Sequence, residues 1–146
     1  MIRALVDTNV WISALLNPVG FPGKVLDAML QGRFVHILPD GILDEIRAVL
    51  ARKRIRRRSG LTDQETEDYI ALIAGCSETV RISGRRFGCR DPKDDMILEA
   101  AVEGEVEFIV TRDGDLKGDP LLMERMRKLG VDIVSVSAFL NLLSKL

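Results

Sequence analysis

The chain has 146 residues, 47% of them apolar and 29% charged, with a formal net charge of −1; this is the composition of an ordinary soluble globular protein and excludes a disordered chain or a strong polyelectrolyte. Its length suits one domain, residues 1–146, able to bury a core without staples. No apolar run approaches ~18 residues, and Asp7 interrupts what would be the apolar part of a leader, so neither membrane insertion nor export is expected and the cytoplasm is the expected location.

The first strand is predicted over Ile2 to Val6, ending at Asp7, with a helix from Asn9 to Leu16 behind it. Gly20-Phe21-Pro22-Gly23 reads as a loop near the strand end; it lacks the lysine and spacing of a phosphate-binding P-loop. A second helix is expected from Val25 to Leu30 and a strand from Phe34 to Leu38, in which His36 reads as a structural strand position. Gly41 to Arg52 has Ile42, Leu43, Ile46, Val49 and Leu50 at helical spacing. It runs into Arg52, Lys53, Arg54, Arg56, Arg57 and Arg58, six cations in seven positions. That run is either an RNA-phosphate contact or a solvated helix end.

Thr62-Asp63-Gln64-Glu65 is a capping-box pattern opening a helix to about Ala74. Strands are expected at Thr79 to Ile82, Phe108 to Thr111 and Asp132 to Val136. Between them Asp91-Pro92 opens a helix that Gly104 ends. Helices over Leu121 to Leu129 and Ser137 to Leu143 complete the chain. Cys76 and Cys89 lack metal or redox spacing and read as incidental free thiols, and Trp11 reads as core.

Strands alternating with helices imply a three-layer α/β/α fold around a parallel sheet of about five strands. Ligands of such sheets gather at the carboxyl ends of the strands. Asp7 stands at one such end, and Asp113 and Asp115 follow another. In the helix from Asp91, Ile97, Leu98 and Ala101 lie within about 60° of Asp94, whereas Asp95 is about 100° away and is expected to face solvent or the site's rim. Asp91 is expected to cap. By the same reasoning Glu45, near Ile42 and Val49, points inward and Asp44 away. One rim could thus gather four acids from four segments. Carboxylates that close repel one another, and a cation resolves the conflict. All-oxygen ligands suit Mg²⁺ or Mn²⁺ rather than zinc or copper, and the natural substrate of such a site is a phosphodiester.

Leu5-Val6-Asp7-Thr8-Asn9, Leu43-Asp44-Glu45-Ile46, the run Arg90 to Ala101 and Ile109-Val110-Thr111-Arg112-Asp113-Gly114-Asp115-Leu116, in that order, resemble the PIN-domain ribonucleases, and more narrowly the small VapC-like toxins of prokaryotes. The resemblance spans Ile2 to about Phe139. It implies metal-dependent endonucleolytic cleavage of RNA, with Asp7, Glu45, Asp94 and Asp113 as the catalytic and metal-binding acids. Thr8, Asn9 and Thr111 become polar neighbours, and Asp95 and Asp115 stand as second candidates beside Asp94 and Asp113. It also implies a homodimer and a protein antitoxin. The alternative is a non-catalytic PIN-like module that binds RNA or a protein through the basic segment. A phosphohydrolase or receiver-like domain would need an Asp-x-Asp-x-Thr motif after the first strand, which is absent.

Overall fold

Short runs rich in valine and isoleucine favour extended backbone, and in the computed structural model, which describes residues 1–112 and 118–146, they form β1 (Arg3–Val6), β2 (Val35–Pro39), β3 (Ser77–Val80), β4 (Phe108–Val110) and β5 (Asp132–Val134). These make one sheet in the order β3-β2-β1-β4-β5. All neighbours are parallel, with Ala4 opposite His36 on one side and Leu5 opposite Ile109 on the other. The chain goes from β1 to β2 on one side and returns to β4 on the other, so the strand order reverses at β1, where such folds open a crevice.

Alternate residues of a strand face opposite sides of the sheet. Ala4 and Val6 join a core with Val10, Trp11, Val25, Ile46, Ile73 and Phe139, while Leu5 joins a second with Ile37, Leu98, Ile109 and Met126. The first core is covered by α1 (Thr8–Leu16), α2 (Phe21–Leu30), α3 (Ile42–Leu50), α4 (Lys53–Ser59), α5 (Asp63–Gly75) and α8 (Val136–Ser144). The second is covered by α6 (Pro92–Glu103) and α7 (Pro120–Lys128). This is the expected three-layer α/β/α fold. No helix among the described residues is long and apolar enough to cross a membrane.

Local signals explain several boundaries. Thr62 Oγ1 accepts from Glu65 N at 3.1 Å and Glu65 Oε1 from Thr62 N at 3.0 Å, the reciprocal capping box. Asp91 caps α6 by accepting from Lys93 N at 3.0 Å. His36 is fully buried in β2, with the Trp11 ring edge-on at 5.1 Å. Ser77 Oγ donates to Ile73 O at 2.6 Å, so the 2.7 Å contact of His36 Nδ1 with Ser77 Oγ makes Nδ1 the donor.

Three expectations are corrected. The basic run is not the tail of α3 but a helix of its own, α4, separated by an extended Arg52 at φ −61°, ψ 135°. Continuing the α3 stripe would carry Lys53 and Arg54 to the buried face; the break instead turns Ile55 onto the core. The segment expected to be a loop, Gly20-Phe21-Pro22-Gly23, is largely the first turn of α2, with proline in the position where its missing N–H costs nothing. A β-carbon on Gly23 would sit 2.0 Å from Pro18 O, so only glycine lets this turn pack there. The strand expected at Thr79 to Ile82 runs instead from Ser77 to Val80.

Candidate active site

The backbone of β1 continues its ladder one residue past the strand, Asp7 N donating to Val110 O at 2.9 Å, and so delivers Asp7 to the crevice. Asp7 is also the N-cap of α1, with Oδ1 accepting from Thr8 N at 2.7 Å. Its Oδ2 accepts the hydroxyl of Thr111, the fully buried residue just beyond β4, at 2.9 Å. The carboxylate is therefore aimed by two elements on either side of the reversal point.

Around it opens a cleft of about 390 Å³ whose walls include Asp7, Thr8, Asn9 and Ser13 from β1 and α1, Glu45 from α3, Arg52, and Asp91, Lys93 and Asp94 from the start of α6. Of the four expected acids, Asp7, Glu45 and Asp94 line this one cleft; Asp113, together with its alternative Asp115, lies outside the described residues. Lys93 Nζ stands 3.3 Å from Glu45 Oε1, an ion pair across the cleft. Thr8 Oγ1 and Asn9 Oδ1 are buried oxygens with no hydrogen-bond partner among the described residues.

Asp94 and Asp95 part company, but not as the helical stripe implied. Asp95 is 3% exposed, neither at the rim nor in solvent. Its Oδ1 accepts from Phe87 N at 2.8 Å and Cys89 N at 3.3 Å, and Arg86 Nε lies 3.3 Å from Oδ2. Burial pushes its pKa up, and the hydrogen bonds from Phe87 and Cys89 together with Arg86 outweigh that, leaving it below the ordinary carboxylate value. The Cys89 thiol is pushed up to about 12 by burial and by Asp95. One turn on, Glu99 accepts from the backbone N–H groups of Gly84 at 2.9 Å and Arg85 at 2.6 Å and from the Ser83 hydroxyl at 3.0 Å. Helix α6 is thus buried on two sides: Asp94 serves the cleft, and Asp95 and Glu99 hold the irregular segment 83–89.

Sequence reasoning missed two residues that line the cleft and a third that contacts one of them. Ser13 lines the cleft with Asn9; the signal was a polar pair four residues apart on an otherwise apolar helix. Lys93 sits within the Arg90 to Ala101 motif, where nothing local sets it apart from a solvated lysine. Arg112, whose Nη1 donates to Ser13 Oγ at 2.7 Å, carried no signal beyond following the strand. In the basic run, Arg52 reaches the cleft wall, Arg56 pairs with Asp63 at 2.5 Å, and Lys53, Arg54, Arg57 and Arg58 are exposed.

A parallel sheet whose strand order reverses beside a carboxylate-lined cleft defines an acidic-site α/β domain. The chain belongs to the PIN domain family, which it matches over residues 3–115. PIN domains are generally nucleases and usually use divalent metals. It is similar to an uncharacterized protein of Methanocaldococcus jannaschii, 36% identical over 117 residues that make up 79% of this chain and 73% of that one. In fold it is similar to a chain in the crystal structure of VapBC2 from Rickettsia felis bound to a DNA fragment from their promoter, with a TM-score of 0.57, 12% identity, and coverage of 92% of this chain and 98% of that one.

Proposed function

We propose that the protein is an endoribonuclease that hydrolyses RNA phosphodiesters with Mg²⁺ or Mn²⁺, and that it is the toxin of a toxin-antitoxin pair acting in the cytoplasm as a homodimer. The observation that carries the nuclease reading is the convergence of Asp7, Glu45 and Asp94, from three separate segments, on one cleft. The donor chemistry fits a hard cation: the cleft offers carboxylate, hydroxyl and amide oxygens and neither imidazole nor thiolate. The unpartnered oxygens of Thr8 and Asn9 fit it too, because buried acceptors without a donor are costly unless water or a cation satisfies them. Among the described residues no three acidic, histidine or cysteine side chains form a group that could hold a metal ion; the fourth acid of the proposed site is Asp113.

When bound, the metal would polarise the phosphate and lower the pKa of an attacking water. The chain's own residues supply the rest. Thr111 and the Thr8 N–H hold both Asp7 oxygens in place. Asp94 from α6 and Glu45 from α3 would balance the charge, and Arg52, which also lines the cleft, would meet a phosphate there. The exposed arginines of α4 would extend that contact along the RNA backbone without reading sequence. The antitoxin partner rests on the VapBC2 neighbour, whose own structure is a complex on promoter DNA.

One observation favours the second reading, a non-catalytic module that binds RNA or a protein: the Lys93 ammonium already pairs with Glu45, which tempers the demand for a metal. Incubation of wild type and Asp7→Asn with a panel of RNAs in Mn²⁺ or in EDTA separates the two. The nuclease reading expects cleavage by wild type in Mn²⁺ alone; RNA binding without cleavage in either condition would favour the module.

A further inference from the structure

A second concavity, of about 410 Å³, adjoins the acidic cleft; its walls include Ser13, Asn17, Phe21, Thr111, Arg112 and Ser135. The two share Ser13, and Thr111 in the groove donates to Asp7 in the cleft. They therefore meet at Ser13 and at the Thr111–Asp7 hydrogen bond, beside the carboxylate that the proposed reaction needs. Their chemistry is opposite. Among the described residues the groove has no carboxylate, and its charged member is Arg112, held against Ser13 Oγ at 2.7 Å.

The groove also has an exposed aromatic ring. Phe21 is 57% exposed at the start of α2 and lines the groove. Its position is fixed rather than casual, because Gly23 packs the same turn onto the Pro18 backbone at a distance no side chain would allow. Lys24 Nζ lies 5.2 Å from the ring centroid. Phe21 and Lys24 together line a second groove, and Lys24 does not line the one beside the acidic cleft. The lining also has polar members: Ser135, the N-cap of α8, is joined to Ser137 at 3.3 Å, and Asn17 lies in the same groove.

We propose that this groove is a nucleobase subsite, in which one base of the RNA strand stacks on Phe21 and presents its edge to Asn17, Ser135 and Ser137, while Arg112 meets the phosphate that links it to the scissile position. The inference rests on the ribonuclease reading of the acidic cleft. The volume lies in the range of small-ligand sites, and the groove brings an exposed ring, Phe21, and a cation, Arg112, to one surface, the pairing with which proteins bind single-stranded nucleic acid. The subsite would fix which side of the cut the strand occupies and favour unpaired RNA, since a base in a duplex is not available to the ring.

The test is an abasic scan. The cut in a ten-nucleotide single-stranded RNA is mapped with wild type in Mn²⁺, and kcat/KM is then measured on RNAs lacking one base at each position in turn. Loss of the base at one position beside the cut is expected to lower kcat/KM roughly 5- to 150-fold, the value of one stacked base. Phe21→Ala is expected to lose a like factor on intact RNA and nothing further on the RNA abasic at that position, and Phe21→Trp to restore the wild-type pattern. Equal melting temperatures of the variants exclude a folding defect. RNA that is cleaved with a flat scan, or a Phe21→Ala loss that adds to every abasic loss alike, would overturn the subsite and leave the nuclease reading standing. Absence of cleavage of any RNA by wild type would overturn both.

Discussion

Lowering the pH from 8 to 5 should destabilise the fold through one residue, His36. The chain has a single histidine, fully buried in β2, and burial lowers its pKa from 6.5 to about 4. The unfolded chain takes up a proton near pH 6.5 and the folded chain only near pH 4, so this stability is fully present above pH 6.5 and is lost as the pH falls towards 4. At about 1.4 kcal/mol per pH unit the complete effect is about 3 kcal/mol, of which about 2 kcal/mol is gone by pH 5. Asp95 and Glu99 titrate below their ordinary values of 3.8 and 4.5, and their contribution is lost only as the pH falls further. Neither of these two carboxylates therefore shares the window from pH 7 to 5 with His36. Urea unfolding across that window should give a falling midpoint for wild type and a flat one for His36→Gln, which keeps a donor towards Ser77. A flat wild-type profile, or a His36→Gln variant with the wild-type slope, would show that burial of this imidazole does not govern the pH dependence.

Asp94→Asn should abolish RNA cleavage with little change in melting temperature. Asp95→Ala should instead lower stability by roughly 1–3 kcal/mol, because it strands the buried Phe87 N–H; equal effects of the two on activity and melting would dissolve the distinction between their faces of α6. Replacing Arg56, Arg57 and Arg58 together with Gln should weaken RNA binding and flatten its salt dependence by ~0.7 slope units for each phosphate no longer neutralised, as read from binding between low and moderate salt. Thr62→Ala should cost about 1 kcal/mol by removing the capping box of α5; a melting curve within error of wild type would show that the cap is redundant.

The strand-helix alternation, the caps at Thr62 and Asp91 and the position of Asp7 were legible in the sequence, because each depends on neighbours within a few residues. That Glu45 and Asp94 turn towards the cleft was legible by helical phase, since the acids share a face with apolar residues that must be buried. Phase failed at Asp95 because it assumes one buried face, and α6 has two: the second is covered by the segment 83–89, which has no periodicity to announce it. The break at Arg52 was hidden for a related reason. A run of good helix formers gives no stop signal, and only the need to bury Ile55 decides against continuation. The groove at Phe21 joins α1, α2 and the residue after β4, contacts too distant in the chain for any local pattern to carry.

Whether Asp7, Glu45 and Asp94, with Asp113, hold a hard divalent cation is best read from the melting temperatures of wild type and Asp94→Asn titrated with Mn²⁺ after EDTA treatment. A ligand that binds only the folded state stabilises it by about 2.7 kcal/mol at a hundred times its dissociation constant. The wild-type melting temperature should climb steadily with Mn²⁺, and the variant's should climb far less while starting no lower. Curves that do not move with metal, or that move equally for both proteins, would mean that these acids do not hold the ion.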